Sequence, residues 1–77
     1  MSNETIIYVL SHTEIIKDVC NDDELSWGAK GIAMYLYQNK VANLEELKAL
    51  ASSPEDETDD FIKELLDFEY IETVKTN

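Results

Sequence analysis

Apolar positions along this chain follow two rhythms. The stretch Thr5-Ile6-Ile7-Tyr8-Val9-Leu10 is a run of β-branched and aromatic residues, the composition of a strand. Between Ser11 and Val19, the positions Ile15, Ile16 and Val19 have helical spacing and predict a short helix. After the polar segment Asn21-Asp22-Asp23-Glu24, Ser26 stands as an N-cap before a stripe of Ala29, Ile32, Ala33, Leu36 and Tyr37. These follow i, i+3, i+4, i+7, i+8, the signature of one buried helix face. Gly28 and Gly31 lie inside this helix, each at a cost of roughly 1 kcal/mol relative to alanine, so close approach of a neighbouring element is expected at both. Asn43 caps a helix over about Leu44 to Ala51, with Leu44, Leu47, Leu50 and Ala51 inward. Ser52-Ser53-Pro54 breaks the chain. Either serine can cap the next helix, and proline suits its first turn. Thr58, Phe61, Ile62, Leu65 and Leu66 then form a third apolar stripe, closed by Phe68. Tyr70-Ile71-Glu72-Thr73-Val74 alternates with period two and predicts a closing strand.

Helices set between two strands, with a short turn joining the last two helices, give a mainly α fold with a small β-sheet. The order is that of a winged helix-turn-helix. A two-stranded wing would need more chain after Val74 than the three residues to Asn77, so the wing is expected to be absent or minimal. The 77 residues make one small domain, with no repeat, linker or low-complexity segment.

Charge changes what this architecture implies. The chain carries 17 acidic residues against six lysines, has no arginine, and has a net charge of −11. A helix-turn-helix normally lays its last helix against DNA. Here the segment from Glu55 to Glu72 holds nine acidic residues and one lysine. Phosphate neutralisation by Lys and Arg supplies most non-specific affinity for nucleic acid, and arginine is the preferred reader of guanine. Direct DNA or RNA binding is therefore not expected, and a DNA-binding regulator is supported by topology alone. Cys20 is the single cysteine, which excludes an internal disulfide and fits a reducing cytoplasm. Met1-Ser2-Asn3-Glu4 lacks the basic region of a signal peptide, and no apolar run reaches the length of a membrane span.

The run Leu25-Ser26-Trp27-Gly28-Ala29-Lys30-Gly31-Ile32-Ala33-Met34-Tyr35-Leu36 resembles the opening of winged-helix domains in phage replication-initiation proteins and DnaD-type primosomal proteins of Gram-positive bacteria. Leu44, Leu47, Ile62, Leu65, Leu66, Tyr70 and Ile71 fall where that family places its second helix, third helix and closing strand. The resemblance covers roughly residues 5–75. It implies a winged helix of phage or mobile-element origin, acting in replication or regulation through DNA binding or self-assembly. Two positions depart from the pattern. Glu69 stands where the family has a glycine ending the helix in a left-handed turn, and the last helix is acidic where the family's is mixed or basic.

The acidic helix is the first candidate site. Asp56, Asp60, Glu64 and Asp67 follow i, i+4, i+8, i+11 and are expected to share an exposed face, with neighbours four apart roughly 6 Å from one another. Glu55, Glu57 and Asp59 broaden the field. Such a face can imitate a nucleic-acid backbone and occupy the basic groove of a host nucleic-acid-binding protein. It can equally be a solvated surface that keeps a small protein soluble. Acids at a helix N-terminus favour the macrodipole, which accounts for Glu55 to Glu57 and not for Glu64 or Asp67.

Asp22-Asp23-Glu24 could prolong the acidic surface or bind a cation, but no EF-hand spacing is present, and an ordinary acidic loop before a helix is the favoured reading. Tyr37 is expected in the core; Met34 and Tyr35 lie off the stripe, where core or partial packing is the favoured reading and exposure would suit a partner or a homodimer. His12 and Cys20 lack companions at metal-ligand spacing. No Ser/Cys–His–Asp arrangement or carboxylate-tuning pocket is indicated, so neither catalysis nor a cofactor is expected. The sequence reading is an inhibitor or modulator of a host nucleic-acid-handling protein. The alternative is a replication-associated module for self-assembly or recruitment.

Overall fold

The computed structural model of the chain describes residues 5–50 and 55–76, and the side chains at 55, 56 and 76 lie outside that description. Strand β1 (Thr5–Leu10) leads through a single 3₁₀ turn (Thr13–Ile15) into the short helix α1 (Ile16–Asn21). Helix α2 (Trp27–Asn39), strand β2 (Ala42–Asn43), helix α3 (Leu44–Leu50), helix α4 (Glu55–Asp67) and strand β3 (Ile71–Thr76) complete the order. The protein is mainly α with one small antiparallel sheet, a winged-helix-like arrangement. The sheet order is β2-β1-β3, so no strand pairs with the outer edge of β3 among the described residues and there is no wing hairpin among them. The predicted inward Ala51 and the Ser52–Pro54 cap lie outside the described residues.

The first strand holds the centre of the sheet. It pairs with β3 along its whole length, from Thr5↔Thr76 to Leu10↔Ile71, and with β2 at Ile7↔Asn43 and Tyr8↔Ala42. The two-residue strand β2 has no periodic signal in the sequence. It exists because the turn after α2 is sharp. Lys40 has φ 73°, and the Val41 N–H donates to the Asn39 carbonyl at 2.9 Å, a γ-turn of the strained, positive-φ kind. That reversal drops Ala42 into the core, fully buried, beside β1.

Capping defines the helices as the sequence suggests. The Asn43 side chain accepts from the Glu46 N–H at 2.8 Å, and the Glu46 carboxylate accepts from the Asn43 N–H at 3.3 Å, a reciprocal capping box. Ser26 Oγ accepts from the Ala29 N–H at 3.2 Å. At the far end of α4 the Tyr70 N–H donates to the Leu65 carbonyl at 2.9 Å and the Glu69 N–H to the Leu66 carbonyl at 3.0 Å. This is a Schellman ending, and it places Glu69 at φ 61°. The left-handed turn is formed, with a glutamate in the position that suits glycine. Ser11 fastens it to the end of β1, its Oγ donating to the Glu69 carbonyl at 2.8 Å and its N–H to the Tyr70 carbonyl at 3.0 Å.

The core lies where α2 crosses α4 over the sheet. Ala29, Ala33 and Leu36 of α2 meet Ile62 and Leu65 of α4, with Val19, Leu47 and Ile71 closing the sides. Gly28 is needed for this crossing, because a Cβ there would overlap the Phe61 ring. Gly31 is not: among the described residues nothing lies within 4 Å of a Cβ built on it, so the expected close approach at that position is corrected.

Two further expectations are corrected. Tyr37, expected in the core, is 45% exposed, whereas Tyr35 is packed against the core, in line with the favoured reading. Each lies one residue from Leu36, on opposite sides of the buried face. Tyr35 shares a row with Gly28 and Ile32 on the α4 side, whereas Tyr37 borders the 3₁₀–α1 corner. Leu50 is 62% exposed, because α3 ends there and its buried face is already completed by Leu47. Within α4, the Thr58 hydroxyl is buried with no hydrogen-bond partner among the described residues.

Candidate acidic interface

Helix α4 is amphipathic. Thr58, Ile62 and Leu65 are buried, and the rows beside them determine what its carboxylates can do. Glu57, Asp59, Asp60 and Asp67 are exposed. Glu55 and Asp56 belong to the helix, and their side chains lie outside the described residues.

Glu64 departs from the expected face. It is half-buried, one carboxylate oxygen accepting from the Ser26 N–H at 2.9 Å and the other from Ser26 Oγ at 2.8 Å. The N-cap of α2 has Ala29 at the position where a capping box carries Glu or Gln. Glu64 supplies that function from a different helix and adds negative charge at the positive end of α2. It joins α4 to α2 and is not part of a free acidic surface. The centre of the exposed row is therefore Lys63, three residues after Asp60 and four before Asp67, and itself exposed. The predicted regular ladder of carboxylates is interrupted. Asp59 is also engaged, 3.8 Å from Lys48 Nζ of α3, a half-exposed pair worth at most about 1 kcal/mol.

The fold brings in a second acidic run that its sequence alone marks as an ordinary loop. Tyr70 donates its hydroxyl to Asp22 Oδ2 at 2.7 Å, and the Glu24 N–H donates to Asp22 Oδ1 at 2.9 Å. The 22–24 loop is thereby held against the turn that ends α4. The hydrogen bond from Tyr70, helped by that from Glu24, holds the Asp22 carboxyl below its ordinary range. In return the bond to Asp22, together with partial burial and the charges of Asp22, Asp18 and Glu24, pushes the Tyr70 phenol up to about 12. Carboxylates from α1 and the 22–24 loop, Asp18, Asp22 and Glu24, thus gather around the Tyr70 phenol beside the turn that ends α4. The only clue in sequence is an aromatic with a hydroxyl opening the closing strand.

Among the described residues, no group of three or more His, Cys, Asp and Glu side chains is arranged to hold a metal ion. Among those residues no helix is long and apolar enough to cross a membrane. Cys20 is exposed and unbridged. Comparison with protein-family models, with curated proteins and with solved structures gives no match.

Proposed function

We propose that this is a protein-binding module that engages a host nucleic-acid-handling protein through its acidic end and inhibits or modulates it. The observation that carries this reading is the surface of α4. The helix that a helix-turn-helix would lay on DNA presents Glu57, Asp59, Asp60 and Asp67 to solvent, with the 22–24 loop held beside its C-terminal turn. A basic groove built for phosphate, as in an RNA polymerase, a CRISPR nuclease or a replication protein, is the complementary surface. With Lys63 inside the exposed row, the likeness to DNA lies in a diffuse negative field rather than in a regular row of charges. Such a field favours fast, salt-sensitive association. The resemblance to phage replication-initiation and DnaD-type domains supports an origin on a phage or mobile element and a site of action in the host cytoplasm.

The test is competition for DNA. The protein is titrated into a complex of fluorescent duplex with each candidate host protein, at low and at raised salt. The parent is expected to displace duplex at low salt and to lose at least ten-fold in potency as salt screens the exposed charges. Replacing Glu57, Asp60 and Asp67 by lysine, with Glu64 left in place, should abolish displacement without unfolding the domain. Equal displacement by the folded triple variant refutes the reading. The second reading, replication-associated self-assembly or recruitment, is favoured by the exposure of Trp27 and Met34 on the outer side of α2.

A further inference from the structure

Strand β3 leaves one edge open, and its register with β1 fixes which backbone groups face that edge. The Ser11 N–H donates to the Tyr70 carbonyl, which makes Ser11↔Tyr70 a hydrogen-bonded pair. Such pairs recur at every second residue of an antiparallel ladder. Val9↔Glu72, Ile7↔Val74 and Thr5↔Thr76 follow in the same register. The N–H and C=O groups of Glu72 and Val74 therefore turn toward β1, and those of Ile71, Thr73 and Lys75 turn away from it. No strand pairs with them among the described residues. Natural edges are usually blunted by proline, a bulge or a covering segment. From Ile71 to Lys75 there is no proline, and the pairing with β1 runs without a bulge.

The side chains around this edge select its occupant. An open groove takes in Ile71 and Thr73, together with Ser11, Leu66, Glu69 and Glu72. Ile71 is buried on the core side, so alternation puts Glu72 and Val74 on the opposite face of the strand. Leu66 is 36% exposed and Val74 40%, which leaves apolar contact surface on both faces. Only an extended chain presents N–H and C=O groups at the spacing of a strand. The carboxylates of Glu69 and Glu72, both exposed, call for lysine or arginine on that chain, since opposite charges across a sheet attract and like charges repel. A second copy of this protein would bring the same carboxylates and a net charge of −11 against them. The basic arms of nucleic-acid-binding proteins have the complementary composition.

We infer that the open edge of β3 takes up a basic, extended segment of the partner protein as a fourth strand. Lysine or arginine lies opposite Glu72 and an apolar residue opposite Val74, two positions apart on one face of that segment. For the partner's charge this rests on the acidic-interface reading; the open hydrogen-bonding groups belong to β3 alone.

The test is an amide NMR titration with the synthetic peptide acetyl-Thr-Thr-Val-Thr-Lys-Val-Lys-amide, added to about 1 mM, where weak complexes become visible. Amide signals of Ile71, Thr73 and Lys75 should move, and those of Glu72 and Val74, already turned to β1, should move much less. Thr73→Pro removes one outward N–H and spares the pairing with β1, because proline is tolerated on the solvent side of an edge strand. Affinity for the peptide should fall about ten-fold, the effect of one or two lost hydrogen bonds. If Thr73→Pro fails to fold, Lys75→Pro serves: it removes an outward N–H and a positive charge that repels the peptide, so a weaker complex still points to the backbone. The variant with Glu57, Asp60 and Asp67 replaced by lysine separates this from the acidic helix. Binding lost there and kept in Thr73→Pro overturns the fourth strand and leaves the acidic interface standing; binding kept there and lost in Thr73→Pro supports the strand and not the helix. No binding at about 1 mM peptide overturns the fourth strand, as does movement of the same amides on concentrating the protein alone, which would give the edge to a second copy.

Discussion

Replacing Glu64 by alanine separates a cap from a surface charge by the sign of the response. If Glu64 were one more exposed carboxylate on a chain of net charge −11, removing it would relieve repulsion and raise stability slightly. The structure requires the opposite. Two hydrogen bonds from Ser26, one from its N–H and one from its hydroxyl, end on this carboxylate. Hydrogen bonds to charged groups contribute about 1.5–3 kcal/mol. The charge at the N-terminus of α2 contributes about 0.3–1 kcal/mol. Losing both should cost on the order of 2–4 kcal/mol. A domain of this length is stable by roughly 4–11 kcal/mol in total. At about 4–8 °C per kcal/mol, thermal unfolding followed by circular dichroism should show a fall of roughly 10–30 °C. Glu64→Gln keeps one acceptor, for the Ser26 N–H, and its NH2 can donate to Ser26 Oγ once that hydroxyl turns, so it should lose less than alanine, about 1 kcal/mol. Combining Glu64→Ala with Ser26→Ala should cost less than the sum of the two, since they remove one shared interaction. A Glu64→Ala protein that melts within two degrees of the parent, or above it, would refute the inter-helix cap. It would also return Glu64 to the acidic face.

Three other perturbations have equally definite outcomes. Glu69→Gly should raise the urea midpoint by the equivalent of about 0.5–1 kcal/mol, because relief of the left-handed strain, about 1–2 kcal/mol, exceeds the added chain entropy; an unchanged or lower midpoint contradicts the φ of 61°. Thr58→Val keeps the side-chain shape and removes a buried hydroxyl without a partner, so it should stabilise by about 1–2 kcal/mol; a loss of stability would mean that the hydroxyl is bonded. The phenol of Tyr70 is raised to about 12 by its bond to Asp22, so the stability from this pair is full below pH about 10 and is lost as pH rises through about 12. Asp22 is lowered, so its contribution is present above about pH 4 and is lost as pH falls through its depressed value. Ultraviolet titration of the four tyrosines should show one late-ionising phenol that Asp22→Asn moves back toward its ordinary range. Four phenols that ionise together would contradict the Asp22 bond.

The sequence is legible where one element's local chemistry decides the outcome. Periodicity places the helix faces around Ala33, Leu47 and Ile62, and Ser26 and Asn43 announce the starts of α2 and α3. It is not legible where two elements meet. Glu64 and Asp60 look alike on a helical wheel drawn from α4 alone, and only the position of the α2 N-cap distinguishes them. Tyr35 and Tyr37 flank Leu36 symmetrically until α4 is known to lie on the Gly28 side. Strand β2 owes its two residues to the turn at Lys40, and β1 chooses its place in the sheet. For the candidate site, the exposure of Glu57, Asp59, Asp60 and Asp67 can be read from α4 alone. The contribution of the 22–24 loop depends on Tyr70, a contact across 48 residues that no local pattern encodes.

The central place of β1 in the sheet bears on how the protein is made. Its partners in β3 lie between 61 residues away, at Leu10↔Ile71, and 71 residues away, at Thr5↔Thr76. During synthesis β1 emerges first and must wait for β3 before its longer pairing can form. Through that interval a strand of six residues without a single charge, Thr-Ile-Ile-Tyr-Val-Leu, has open hydrogen-bonding edges, and such segments pair readily with one another. Non-local pairing is also slow to close. The high negative charge carried by the residues after β1 opposes such pairing between nascent chains until β3 arrives.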